Sequence, residues 1–91
     1  MNKQNISIGK VYYYARTIPS VGIFDVCELK IRTVEDGYCV GVDKHDKHAY
    51  LLDDNTIKKD LYENRNDCLE AVRFEEMDSP KVDLKTEYEE Y

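Results

Sequence analysis

The sequence contains no tryptophan, only two prolines and four glycines in 91 residues, and no long apolar run. A membrane-spanning helix needs about 20 consecutive apolar residues, so none is expected. Four scattered glycines cannot form the glycine-rich loop that binds dinucleotides or nucleoside triphosphates. The serine, zinc and paired-cysteine motifs of common enzyme classes are also missing. These absences favour a binding protein over an enzyme, and no cofactor is expected.

Cysteine is sparse as well. Cys27, Cys39 and Cys68 are widely spaced, form no C-x-x-C pair, and lie among apolar neighbours. An odd number in this arrangement favours buried, reduced thiols over a disulfide framework. The polar residues 1–5 give no sign of a secretory signal. The expected compartment is therefore the cytoplasm.

Charge is unevenly distributed along the chain. Residues 1–59 carry nine Lys/Arg and eight Asp/Glu, whereas residues 60–91 carry four Lys/Arg and eleven Asp/Glu. The balance is +1 in the first part and −7 in the second, which gives the net charge of −6. Such a field repels nucleic acid and attracts basic protein surfaces. A simpler alternative is that the acidic residues only aid solubility.

Alternating apolar and polar residues predict a series of short strands. The segments are 11–15, 23–34, 38–42 and 49–52, with a short fifth strand at 61–62. Turn residues separate them, including a predicted turn at 53–56. In the second segment, Val26 and Cys27 are both apolar and the alternation changes phase, which predicts a bulge or a sharp bend.

A helix is predicted after the strands. Asn64 is suited to cap a helix from Arg65 to about Met77, which Pro80 would stop. Its packed side is expected to contain Cys68, Leu69, Ala71 and Val72, with Phe74 as a further candidate. The fold class is therefore α+β: a small, strongly bent antiparallel sheet or SH3-like barrel of four to five strands with one C-terminal helix. We expect one domain over residues 1–78 and an acidic tail over 79–91, either disordered or an extra strand.

The polar segment Asp43–His48 has the composition of a metal site. His45 and His48 are three residues apart and two aspartates accompany them, so the segment contains nitrogen and oxygen ligands. Lys44 and Lys47 place positive charge among these ligands and oppose the binding of a cation. A turn between strands explains the segment more simply, and no metal site is expected.

Cys39 and His45 are the residue types of a nucleophile and its base. Catalytic thiols need an electropositive, partly exposed setting. Cys39 lies in the middle of a predicted strand, so a core thiol is the favoured interpretation.

Three consecutive tyrosines begin the strand region. Alternation places Tyr12 and Tyr14 on one face and Tyr13 on the other. All three can pack in the core or against the helix, or Tyr12 and Tyr14 can form a protein interface. Stacking on single-stranded nucleic acid is a weaker alternative. It would use a local basic patch of Lys10, Arg16, Lys30 and Arg32.

The acidic C-terminal third contains the favoured binding residues. Rows of carboxylates can imitate the phosphates of a duplex and occupy a groove of Lys and Arg. The candidate residues are Glu70, Glu75, Glu76, Asp78, Glu87, Glu89 and Glu90, with Tyr88 and Tyr91 as aromatic anchors.

The layout from Val11 to Met77 resembles that of short phage and mobile-element proteins in which a bent sheet precedes a capped, acid-rich helix. The matching segments are 11–16, 27–34, 49–52, 61–64 and 68–71. The resemblance covers about three quarters of the chain but includes no functional motif, so no site residue is carried over from it. It implies an SH3-like β-barrel plus helix and, for small acidic members, an anti-CRISPR or other anti-defence inhibitor.

Two functional hypotheses follow. The first is a non-enzymatic, phage-type inhibitor or regulator whose acidic surface occupies a basic site of a host nucleic-acid-processing, CRISPR-like protein. The alternative is a β-barrel adaptor or homo-oligomeric module, such as a homodimer, that binds through Tyr12 and Tyr14. Neither hypothesis includes direct binding to nucleic acid or membrane.

Overall fold

The structure, a computed structural model, describes residues 5–78. The elements in chain order are β1 (Val11–Ile18), β2 (Ile23–Glu35), β3 (Tyr38–Asp43), β4 (Ala49–Asp53), α1 (Asp54–Asp60), β5 (Leu61–Tyr62) and α2 (Arg65–Asp78). All strand pairs are antiparallel, in the order β4-β3-β2-β1-β5. The α+β class and the five-stranded antiparallel sheet are confirmed. The sheet is open, with β4 and β5 at its edges, so a closed SH3-like barrel is not confirmed.

Helix α1 was not predicted, because a turn was expected at this point. The Asp53 carboxylate accepts a hydrogen bond of 2.8 Å from the Thr56 N–H and caps the helix. Ile57 is the single buried residue of α1 and fixes it to the core. One apolar residue cannot produce a helical period in the sequence. The expectation of a single, C-terminal helix is therefore incomplete.

The sheet has a first face and a second face, each with its own apolar cluster. The first cluster contains Ile6, Tyr12, Cys27, Leu29, Ile31, Cys39, Leu52, Ile57 and Leu61. On the second face, Ala15 packs with Cys68 and Val72 of α2, beside the half-buried Phe24 and Val26. Helix α2 thus lies over β1 and β2 on the second face.

This two-sided burial corrects the predicted bulge at Val26 and Cys27. The pairing of β1 with β2 continues through both residues without a shift. Val26 lies under α2 and Cys27 belongs to the opposite cluster, so both are apolar in a regular strand. The register shifts farther along β2, between Ile31 and Thr33.

The predicted cap of α2 is confirmed. The Asn64 side-chain oxygen accepts hydrogen bonds from the Asn66 N–H at 2.7 Å and the Asp67 N–H at 3.4 Å. Neither helix in the described part of the chain is long and apolar enough to cross a membrane.

Candidate protein-binding surface

The exposed side of α2 combines carboxylates with two large apolar side chains. Asp67, Glu70, Phe74 and Met77 follow one another at intervals of three or four residues and so share one side of the helix. Asp78 lies one turn beyond Phe74 on the same side. We call these five residues the outer face of α2.

Phe74 and Met77 are the unexpected part of this face. Phe74 was a candidate for the packed side of the helix, but its residue is 70% exposed and Met77 is 82% exposed. Cys68 and Val72 supply the buried contacts instead. Exposed aromatic and methionine side chains are enriched in protein interfaces. A surface that only aids solubility has no need of them.

The charge of α2 is concentrated at its C-terminal end. Glu75, Glu76 and Asp78 lie in the last turn, which contains no basic residue. The unpaired carbonyls of a helix C-terminus already carry a partial negative charge, so carboxylates there cost about 0.3–1 kcal/mol each. These residues therefore do not stabilise the helix, although they create a strong negative field at one end of the molecule.

The predicted acidic residues do not all lie on the outer face. Glu70 and Asp78 do, beside Phe74. Glu75 lies on a flank of the helix, where with Asp60 it lines a groove of about 230 Å³. Burial raises the pKa of Asp60, and the nearby Glu75 carboxylate raises it further. Glu76 is exposed, on the other flank at 100° from Glu75.

The remaining acidic candidates lie outside the described residues. These are Glu87, Glu89 and Glu90 with Tyr88 and Tyr91, and the predicted tail at 79–91 lies there as a whole.

The tyrosine run is largely internal, as the packing alternative proposed. Tyr12 is 0% exposed; its hydroxyl accepts a hydrogen bond from the Ser7 N–H at 3.0 Å and donates one to the Asn5 carbonyl at 3.1 Å. Tyr14 is half-buried on the same face, and its ring centroid is 5.7 Å from that of Tyr50. The predicted alternation is confirmed, but Tyr12 has no surface to offer a partner.

The segment Asp43–His48 forms a turn. The Asp43 carboxylate, 7% exposed, accepts hydrogen bonds from the His45 N–H at 2.7 Å and the Asp46 N–H at 3.3 Å. The His48 ring packs on Tyr50 with centroids 5.2 Å apart. Among residues 5–78, no group of three or more His, Cys, Asp or Glu is placed to hold a metal ion.

Cys39 and His45 differ in their surroundings. Cys39 is 0% exposed within the first cluster, whereas His45 is exposed on the turn. Cys39 is therefore a core residue, as the favoured interpretation held.

The predicted basic patch has a different composition in the structure. Arg16 pairs with Asp25 at 2.6 Å, and the Lys10 ammonium lies 5.4 Å from the centre of the Tyr12 ring. Lys30 and Arg32 instead join two turn lysines around a groove of about 400 Å³. We call the four cations Lys30, Arg32, Lys44 and Lys47 the basic groove.

The chain matches no protein-family model, no curated protein and no solved structure. Its function is therefore inferred from the surface chemistry described above.

Proposed function

We propose that this protein is a non-catalytic binding protein whose outer face of α2 occupies a basic site on a partner protein. The observation that carries the proposal is the exposure of Phe74 and Met77 among carboxylates at the negative end of α2. An exposed aromatic side chain can enter a pocket, while the carboxylates around it pair with Lys and Arg.

The chemistry of this face favours one class of partner. Proteins that bind nucleic acid typically have a positively charged cleft with room for an aromatic ring, because their cations contact phosphates and their aromatic residues stack on bases. The carboxylates of α2 would replace the phosphates. Since the layout also resembles that of short phage and mobile-element proteins, whose small acidic members imply an inhibitor, we propose that the protein blocks a nucleic-acid-processing, CRISPR-like protein in the host cytoplasm.

The alternative, an adaptor or homo-oligomer that binds through Tyr12 and Tyr14, has less support. Tyr12 is wholly buried and Tyr14 packs against the first cluster. A Tyr12→Ala variant would therefore create a core cavity, and any loss of binding would report unfolding. Sedimentation of the intact protein tests the alternative, because a stable homo-oligomer at micromolar concentration would favour it.

Capture from bacterial lysate, followed by titration with the purified partner, tests the proposal. The acidic variant combines Glu70→Lys with Asp78→Lys. Its control combines Glu35→Lys with Asp54→Lys, which changes the net charge equally at exposed sites on β2 and α1. We expect the acidic variant to lose the partner, the control to retain it, and binding to weaken steeply with salt.

A second pair of variants tests the apolar anchor. Phe74→Ala should weaken binding by about tenfold or more, as at an interface hot spot. Val21→Ala removes a side chain from a residue that is 63% exposed at the β1–β2 connection and should have no effect. Equal binding by all variants, insensitive to salt, would overturn the proposal.

A further inference from the structure

Helix α2 leaves half of the second face of the sheet uncovered. On this half, Val40 pairs with Thr33 of β2 on one side and with Leu51 of β4 on the other. The three residues form a row across the sheet. Val40 is two residues from Val42, which pairs with Lys30, so the row lies on the same face as Val26 and α2; the register shift after Ile31 brings Thr33 onto this face. Leu51 is 68% exposed and Val40 is only half-buried.

The basic groove adjoins this row on the same face. Lys30 pairs with Val42, which pairs in turn with Ala49, so a second row lies next to the first. Lys44 forms an ion pair of 3.0 Å with Glu28. Within residues 5–78, neither Lys30 nor Arg32 has an ion-pair partner. Two unpaired cations thus lie beside an exposed apolar strip.

The turn holds one of the cations in an unfavourable backbone conformation. Lys47 has a φ of 62°, the only positive φ of a non-glycine residue in the described part of the chain. This conformation costs about 1–2 kcal/mol for a residue with a side chain. Glycine at this position would avoid that cost but would remove one cation from the groove. Local strain of this kind is often found where a side chain is needed for binding.

We propose that the C-terminal segment of this chain, residues 79–91, binds in cis across this surface with its carboxylates in the basic groove. The segment contains four apolar and four acidic residues against two lysines, so it offers apolar surface to the row at Val40 and a net charge of −2 to the basic groove. Its apolar residues are Val82, Leu84, Tyr88 and Tyr91, and its acidic residues are Asp83, Glu87, Glu89 and Glu90.

The segment has the length to reach the groove. Phe74 near the end of α2 lines the same groove as Thr17, which pairs with Phe24 of β2. Lys30 is six residues farther along β2, about 20 Å. Thirteen extended residues span up to about 43 Å. Covalent attachment also raises the effective concentration of the segment at the groove, which favours binding in cis over binding to a second copy.

Self-binding of the segment leaves the outer face of α2 free. Binding of residues 79–91 to the sheet is therefore independent of whether the outer face binds a partner. It can be measured on the full chain alone, from signals of residues on the sheet surface.

Paramagnetic relaxation in the NMR spectrum provides the measurement. A spin label is attached at Thr86→Cys, since the three native cysteines are buried and free. We expect loss of most of the signal intensity of Val42 and Leu51, and little loss at Ile57, which lies in the first cluster on the opposite face of the sheet.

A charge-swap series identifies the contact. Lys30→Glu with Arg32→Glu should abolish the effect at Val42, and adding Glu87→Lys with Glu89→Lys should restore it at the original net charge. The control, Lys58→Glu with Lys59→Glu on α1, should leave the effect unchanged. Thermal unfolding of each variant confirms that the fold is intact.

Three results would overturn the proposal. The first is no effect at Val42 and Leu51 in the labelled wild type. The second is an effect that the groove variant and the control change equally, since the basic groove would then not be the binding site. The third is an effect on isotope-labelled chains that arises only from spin-labelled neighbours, because the occupant would then be a second copy.

Discussion

The Arg16 guanidinium of β1 donates a hydrogen bond of 3.1 Å from Nη1 to the Tyr50 hydroxyl of β4, although β2 and β3 lie between these strands. The Nη2 atom of Arg16 also donates to the Asp25 carboxylate at 2.6 Å. One side chain thus connects three strands over the first face. The hydrogen bond to Asp25 raises the pKa of Arg16, so the guanidinium keeps its charge at all relevant pH values.

Removing the Tyr50 hydroxyl should destabilise this connection. In Tyr50→Phe, Arg16 loses an acceptor while its Nε atom is already buried with no hydrogen-bond partner among the described residues. We expect the free energy of unfolding to fall by about 1–2 kcal/mol, measured by urea denaturation. Tyr38→Phe is the control, since its hydroxyl makes no hydrogen bond within residues 5–78. Equal stability of both variants would contradict a structural role for the Arg16–Tyr50 bond.

Asp60 should make the protein less stable at neutral pH than in mild acid. Burial, followed by the Glu75 carboxylate, raises its pKa in the folded state. The folded protein then binds a proton more tightly than the unfolded chain, so stability falls as pH rises from the unfolded pKa through the raised folded pKa. Asp60→Asn should remove this loss and stabilise the protein at pH 7.

The increase in the free energy of unfolding from Asp60→Asn is expected to be small, up to about 0.5 kcal/mol, because solvent screens a half-buried group. Denaturation at several pH values measures it. Glu63→Gln removes one negative charge at an exposed position and is the control. If Asp60→Asn gave the same pH profile of stability as wild type, the proposed burial of the carboxylate would be wrong.

Gly41 should not tolerate a side chain. A Cβ atom at this position would lie 3.0 Å from the Cβ of Leu29 and 3.1 Å from its Cδ1, and Leu29 is 0% exposed. Overpacking of this kind costs about 1–3 kcal/mol. Gly41→Ala should lower the midpoint of urea unfolding accordingly. The double variant Gly41→Ala with Leu29→Ala should relieve the steric clash, but it should remain less stable than wild type because the buried leucine side chain is lost.

The three thiols should be protected in the folded protein. Burial raises the pKa of the Cys68 thiol to about 12 and also raises that of Cys27. The thiolate is the reactive form, so at pH 8 labelling by a thiol reagent should require unfolding and accelerate with urea. Unfolded protein, in which all three thiols label, is the control. Immediate labelling of one thiol without urea would show that it is exposed.

The sequence predicted the strands and α2 well because their signals are local. The alternation from Cys27 to Arg32 and the cap at Asn64 involve neighbours along the chain. The predicted turn at 53–56 became the start of α1 because its stability depends on one contact, that of Ile57 with the core. This contact cannot be predicted from the local sequence because it depends on the folded sheet.

The candidate surface was less predictable for the same reason. Alternation placed Tyr12 and Tyr14 on one face of the sheet. Ile6, α1 and β5 cover that face, and nothing in the sequence of these distant segments predicts that they pack there. Phe74 is apolar yet lies out of phase with Cys68 and Val72, so composition assigned it to the wrong side of α2. Lys30 and Lys44 meet only because β2 pairs with β3.

The strand order also has a consequence for the route of folding. β1, β2 and β3 each pair with the next strand along the chain, so three hairpins close through short loops. Among the strands of residues 5–78, only β5 returns to β1, joining Tyr62 to Tyr13, and this pairing encloses most of the described chain. Closing so large a loop costs more entropy than forming a hairpin. We therefore expect the hairpins to form first and the folding rate to be limited by the docking of β5 together with α2, which follows β5 directly.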